Sequence, residues 1–141
     1  MRELFVWYRV DDHNAEGQAH VVFLRSPHAH ARIVGIDKAG AAAMPGVVAV
    51  VTGRDLVSAG VKPLPTSADF RRAGGAPTAA PPRYALAVDT VRFVGEAVAA
   101  IVANSREEAR DALEAIDVRY DPLPSVVESA AAVGAGAATV W

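Results

Sequence analysis

Pro27 falls in the middle of a run that otherwise alternates like a β-strand, and it decides how this part of the chain can fold. A proline has no N–H to give to a sheet ladder, so a strand that reaches it must end or lie at an edge. Before it, Gln18 to Arg25 puts Val22 and Leu24 on one face and Val21, Phe23 and Arg25 on the other. After it, Ala31 to Asp37 alternates again, with Ile33, Gly35 and Asp37 opposed to Val34 and Ile36. Two short strands joined at Ser26-Pro27-His28 are therefore expected. Ser26 reads as a turn residue, because it lacks the glycine-flanked elbow that exposes a hydrolase serine. A triad of Ser26, a histidine and Asp37 has nothing beyond composition to support it.

The rest of the chain supplies further strands and a few helices. Ala39 to Met44 is a short helix-prone stretch, and Pro45-Gly46 is a turn signal. Val47 to Thr52 is almost wholly apolar and reads as a strand buried on both faces. Arg54 to Ala59 fits one helical turn. Residues 60–83 carry five of the nine prolines, a Gly-Gly pair and Arg71-Arg72, which predicts a long flexible loop. Val88 to Val94 and Ala97 to Ala103 read as strands flanking Gly95-Glu96. Ser105-Arg106-Glu107-Glu108 is a capping-box signature for a helix reaching about Ala115, with Ala109, Ala112, Leu113 and Ile116 on one face. Asp117 to Tyr120 reads as a strand ended by Pro122 and Pro124. Val126 to Val133 fits a last short helix, and residues 134–141 a tail. Mixed, largely antiparallel strands with two or three helices place the chain in the α+β class, as one domain of 141 residues with a partial leading segment over 1–16.

Composition removes several function classes. Net charge is −2 with the cations scattered, which is unlike the basic stripe of a nucleic-acid surface. There is no cysteine, so this chain offers no disulfide, thiolate or cysteine-bound cluster of its own. No apolar run approaches the roughly 20 residues of a membrane span. The first residues are too short in their apolar part, and too acidic, for a signal peptide, so a cytoplasmic location is expected.

Candidate chemistry centres on His28 and His30. In an extended segment they share a face, and both could reach one zinc at about 2.0–2.1 Å. His20, His13 or Asp12 would have to complete the site, yet no spacing fixes them there. Glu96, between Gly95 and an apolar strand, could be a desolvated acid, but a solvated hairpin-turn carboxylate is the better reading. Gly74-Gly75 is followed by neither a lysine nor a helix start, which argues against a phosphate loop. Trp7 and Trp141 suggest no stacking platform. From the residues alone no catalytic, cofactor-binding or metal-ligating set stands out.

Four separated motifs nevertheless carry a resemblance. Arg25-Ser26-Pro27-His28-Ala29-His30-Ala31-Arg32-Ile33 is similar to the RSPHAHARI signature of the large subunits of molybdenum hydroxylases, the xanthine dehydrogenase, aldehyde oxidase and carbon monoxide dehydrogenase family. Residues 43–56 resemble its PGVVAVLTGADL segment. Residues 91–99 resemble VRYVGEPVA, with Ala97 where proline is usual, and residues 117–126 resemble VDYEPLPAVVD.

The resemblance implies the a/b hammerhead domain of the molybdopterin-binding subunit. In such enzymes aldehydes, N-heterocycles or CO are oxidised, and electrons pass from molybdenum through two [2Fe–2S] clusters to FAD. The cofactor loops and catalytic glutamate belong to the longer carboxy-terminal region, so none is assigned to a residue here. The chain stops near where that region would begin, and little of the usual leading sequence stands before Tyr8. A truncated piece, a split subunit and a degenerate gene all fit. The expected role is docking, with the molybdopterin-binding polypeptide and the iron–sulfur and FAD subunits as partners, and with self-association when they are missing. The candidate interface residues are Arg25, His28, His30, Arg32, Gly95 and Glu96. The alternative is an independent small module that binds a metal or ligand through His28 and His30.

Overall fold

The strands on either side of Pro27 form, but they do not pair with each other. In the computed structural model, which describes residues 14–65, 70–78 and 80–141, β1 (His20–Arg25) and β2 (Ala31–Asp37) lie in different sheets. The remaining elements are α1 (Ala39–Ala42), β3 (Val47–Thr52), α2 (Gly53–Ser58), β4 (Thr90–Val91), β5 (Ala97–Ala103), α3 (Arg106–Glu114), β6 (Asp117–Pro122) and α4 (Ser129–Ala132). One sheet has the order β1-β5-β3 and the other β4-β2-β6, with every pairing antiparallel. The α+β expectation holds, with four short helices among the described residues.

β5 is the centre of the first sheet, and its sequence AVAAIVA explains why. Ile101 is fully buried and faces Val22 of β1 and Val50 of β3 across the ladder. Ala103, also fully buried, carries so little side chain that α3 can approach closely through Ala109 and Ala112. Ala41, Met44, Leu113 and Ile116 complete this first core. Val98 points the other way and joins Ala31, Ile33, Ala87 and Val91 in a second core under the second sheet. One strand thus serves both cores.

Helix ends follow their local sequence. Thr52 caps α2 reciprocally: its hydroxyl accepts the Asp55 amide, and the Asp55 carboxylate accepts the Thr52 amide at 2.7 Å. Lys38, just before α1, donates to the same carboxylate at 2.5 Å and to the Val50 carbonyl at 3.0 Å. At α3 the Ser105 hydroxyl accepts the Glu108 amide at 3.2 Å, as the signature predicts. The Glu108 carboxylate, however, takes the Ser105 hydroxyl at 2.9 Å.

Several expectations are corrected. Val47 to Thr52 is an edge strand rather than one buried on both faces, and Val48 is well exposed. The strand expected over Val88 to Val94 shrinks to Thr90–Val91 and pairs with β2, not with β5. Its neighbours bond irregularly: the Ala87 amide donates to Ala97 O and the Asp89 carbonyl accepts from Ile33. Gly95-Glu96 is therefore a crossing between sheets and not a hairpin turn. β1 starts at His20, two residues later than expected, and β6 runs on through Pro122, whose missing N–H is tolerated because β6 is an edge strand. The last helix is cut to the single turn Ser129–Ala132. Among the described residues of 60–83 the β-pairing is limited to isolated bridges, Leu64 with Arg83 and Arg71 with Pro77. Among the described residues no helix is long and apolar enough to cross a membrane. The leading segment up to His13 lies outside the described residues.

Candidate interface at the junction of the two sheets

Two chain segments cross between the sheets, and they are fastened to each other. One is Ser26 to His30, between β1 and β2. The other is Arg92 to Glu96, between β4 and β5. The Ser26 amide donates to the Glu96 carbonyl at 2.9 Å, and the Gly95 amide donates to the Ser26 carbonyl at 2.8 Å. Arg25 adds a third strut, from Nη1 to the Gly95 carbonyl at 2.8 Å. Gly95 sits at φ +90°, a conformation a side chain would strain.

Ser26 is almost completely buried, and its side chain is spent on the turn. Its hydroxyl oxygen accepts the His28 amide at 3.0 Å, and its proton goes to the His28 carbonyl at 3.1 Å. It is held away from any role as a nucleophile. Glu96 is half-buried, and its carboxylate accepts the Arg92 amide at 2.5 Å. The acid thus closes a tight turn from Arg92 to itself.

The other candidates lie further along, towards β6. The His28 ring packs against Tyr120, with centroids 4.8 Å apart. His30 Nδ1–H donates to the Pro124 carbonyl at 2.8 Å, which fixes its tautomer. The Leu123 amide donates back to the His30 carbonyl at 2.9 Å. Arg32 faces Asp121 across the ladder at 3.9 Å, with both side chains more than half exposed. Burial pushes the Tyr120 phenol above its ordinary pKa, with Ser26 pulling the other way. No partner lies in good hydrogen-bond geometry with its oxygen, so burial prevails. The structure brings Arg25, Gly95 and Glu96 together and sets His28, His30 and Arg32 apart from them. Among the described residues no three histidine or carboxylate side chains gather in a metal-binding group.

Arg92 is the residue that sequence reasoning missed. Nε donates to the Val140 carbonyl at 3.1 Å, Nη1 to the Thr90 carbonyl at 3.0 Å, and the guanidinium lies 3.9 Å from the centre of the Trp141 ring. Its only signal in the sequence is an acid four residues on, and that spacing is read as a helix pair unless a turn is known. Beside it opens a broad groove of about 1280 Å³, bordered by Arg25, Arg83, Tyr84, Phe93, Glu96 and Trp141.

Comparison with known proteins places this geometry. Residues 7–124 match the family described as aldehyde oxidase and xanthine dehydrogenase, a/b hammerhead domain. The carbon monoxide dehydrogenase large chain of Afipia carboxidovorans is 40% identical over 119 residues, covering 84% of this chain and 13% of that one. The nicotine 6-hydroxylase large subunit of Paenarthrobacter nicotinovorans is 38% identical over 129 residues, 90% of this chain and 15% of that one. In structure, quinoline 2-oxidoreductase from Pseudomonas putida 86 superposes with a TM-score of 0.78 at 40% identity, covering 93% of this chain and 16% of that one. The chain thus spans about one sixth or less of the length of these relatives. By sequence and by fold, it belongs to the aldehyde oxidase and xanthine dehydrogenase family, whose a/b hammerhead domain it forms.

Proposed function

We propose that the chain is the docking domain of a molybdenum hydroxylase large subunit, fitting against the polypeptide that carries the molybdopterin. The observation that carries this reading is the match itself: the fold is shared nearly whole, with a segment that is only 16% of the quinoline 2-oxidoreductase chain. The parent reaction would be the oxidation of an aldehyde, an N-heterocycle or CO. Iron–sulfur and FAD subunits would take the electrons.

Among the described residues the groove beside Arg92 offers no built cradle for the cofactor. A pterin pyrophosphate needs several donors converging on one spot, whereas Arg25 and Arg92 are each tied to backbone carbonyls and Trp141 lies against Arg92, which commits both arginines to holding the fold. Arg83 at the rim does not suffice alone. The cofactor is therefore assigned to the rest of the subunit, and the residues in this chain have positional work. Arg25, Gly95 and Glu96 hold the two sheets in one relation. His28, His30 and Arg32 fix the path of the chain beside β6. A metal site at His28 and His30 is the weaker reading, because among the described residues no third histidine or carboxylate gathers with them to complete a ligand set.

The test is co-expression with the A. carboxidovorans large chain from which the 119 matching residues have been deleted. That chain's own segment, supplied separately, is the positive control. Co-purification of the present chain through two columns is expected. Co-purification of the control alone would contradict the reading.

A further inference from the structure

We infer that the open face of the first sheet, centred on Phe23, is the surface that docks on the cofactor-bearing part of the large subunit; this rests on the docking reading above. The register defines that face. Phe23 stands opposite Ala100 and Val21 opposite Val102, and on the other side Val51 meets Ala100 and Ala49 meets Val102. Directly opposed residues of an antiparallel pair share a face. These six side chains form an apolar surface with no charge among them.

The reverse of the sheet is filled by α1 and α3. On the open face, Val98 at one end of β5 is covered by the second sheet, but Val21 and Phe23 belong to neither core and are 51% and 44% exposed. Exposing such side chains side by side is costly in water, and contiguous apolar patches mark interaction surfaces. At the end of the patch the Arg25 guanidinium lies 6.0 Å from the Phe23 ring centre while bonded to Gly95, so the patch runs directly into the junction.

Length selects the occupant. The relatives devote about 13–16% of their chain to this domain. In them the neighbouring surface is tethered, at an effective concentration reaching the millimolar range for a short link. A second copy meets no such advantage. The face therefore takes an apolar surface of the same large subunit, not a ligand and not a twin.

Titration calorimetry on the purified chain and the deleted A. carboxidovorans large chain decides it. Phe23→Glu should weaken binding at least tenfold, and so should Val102→Glu. Val34→Glu, which alters an exposed apolar residue of β2, should change it less than twofold. Urea unfolding of each variant confirms that it is folded, and Phe23→Ser replaces any that is not. Binding of the unaltered chain that Phe23→Glu and Phe23→Ser leave intact would overturn the face and spare the docking reading. No binding by the unaltered chain, with the control segment binding, would overturn both. A dimer of the chain through Phe23 that the deleted large chain does not displace would assign the face to a second copy and overturn the inference.

Discussion

The Ser26 amide reaches the Glu96 carbonyl at 2.9 Å, and through this bond the crossing from β1 to β2 is tied to the crossing from β4 to β5. Neither sheet can shift against the other without breaking it. The Glu96 carboxylate reinforces the same turn by holding the Arg92 amide. Glu96→Ala is expected to cost about 1–3 kcal/mol in urea unfolding, since it leaves a partly buried amide without an acceptor. Glu96→Gln keeps an acceptor oxygen and should lose less than half as much. Equal losses would mean that the charge, not the bond, matters.

Acid should weaken the Lys38–Asp55–Thr52 cluster. Asp55 is lowered from 3.8 to about 2, first by the Lys38 hydrogen bond and then by the Thr52 hydroxyl and amide. A depressed carboxylate stabilises the fold above its unfolded pKa and loses that contribution as pH falls through the folded value. The window is therefore pH 3.8 down to about 2. Both side chains are more than a third exposed, so screening holds the effect to about 1 kcal/mol. Lys38→Met should raise the Asp55 pKa, read by carboxyl NMR titration, and flatten the acid limb of stability.

Gly53 has no room for a side chain. A Cβ there would overlap the Ala87 carbonyl and lie 2.9 Å from Leu86 O. Gly53→Ala is expected to destabilise by about 1–3 kcal/mol or more, because backbone on the far side must move. Ile101→Val, which removes one methyl group from the first core, should cost about 0.5–1.5 kcal/mol. Urea denaturation of both variants checks the order.

Arg92 should report on Trp141. In a Trp7→Phe background the remaining tryptophan fluorescence comes from Trp141 alone. Arg92→Met removes the cation from the ring and the bond to Val140, so the emission should shift to the red and quench more readily with acrylamide. An unchanged spectrum would mean that the ring is held by other contacts.

What was legible in the sequence is what depends on local pattern. Pro27 and the alternation around it located β1 and β2, and Ser105 located the start of α3. Pairing was not legible, because Ala31–Asp37 could join any neighbour with a matching face. The choice was made by Val91 and Val98 entering one core with Ala31 and Ile33. For the same reason Val88 to Val94 reads as a longer strand than the Thr90–Val91 that forms. Its apolar alternation is real, but Arg92 N–H goes to Glu96 and Phe93 and Val94 face solvent. Of the candidate residues, Arg25, Gly95 and Glu96 converge across some seventy positions of chain, a proximity that no spacing rule encodes. The Thr52 cap is not legible, because Asp55 stands where glutamate or glutamine marks the usual box.

On the docking reading proposed above, these residues fit against another polypeptide and carry no bond-making group. Elemental analysis and turnover of the lone purified chain test it most directly, with an aldehyde, a purine and CO as substrates and an artificial electron acceptor. The expected result is no retained molybdenum and no reduction of the acceptor. Stoichiometric molybdenum together with turnover by the chain alone would contradict the account.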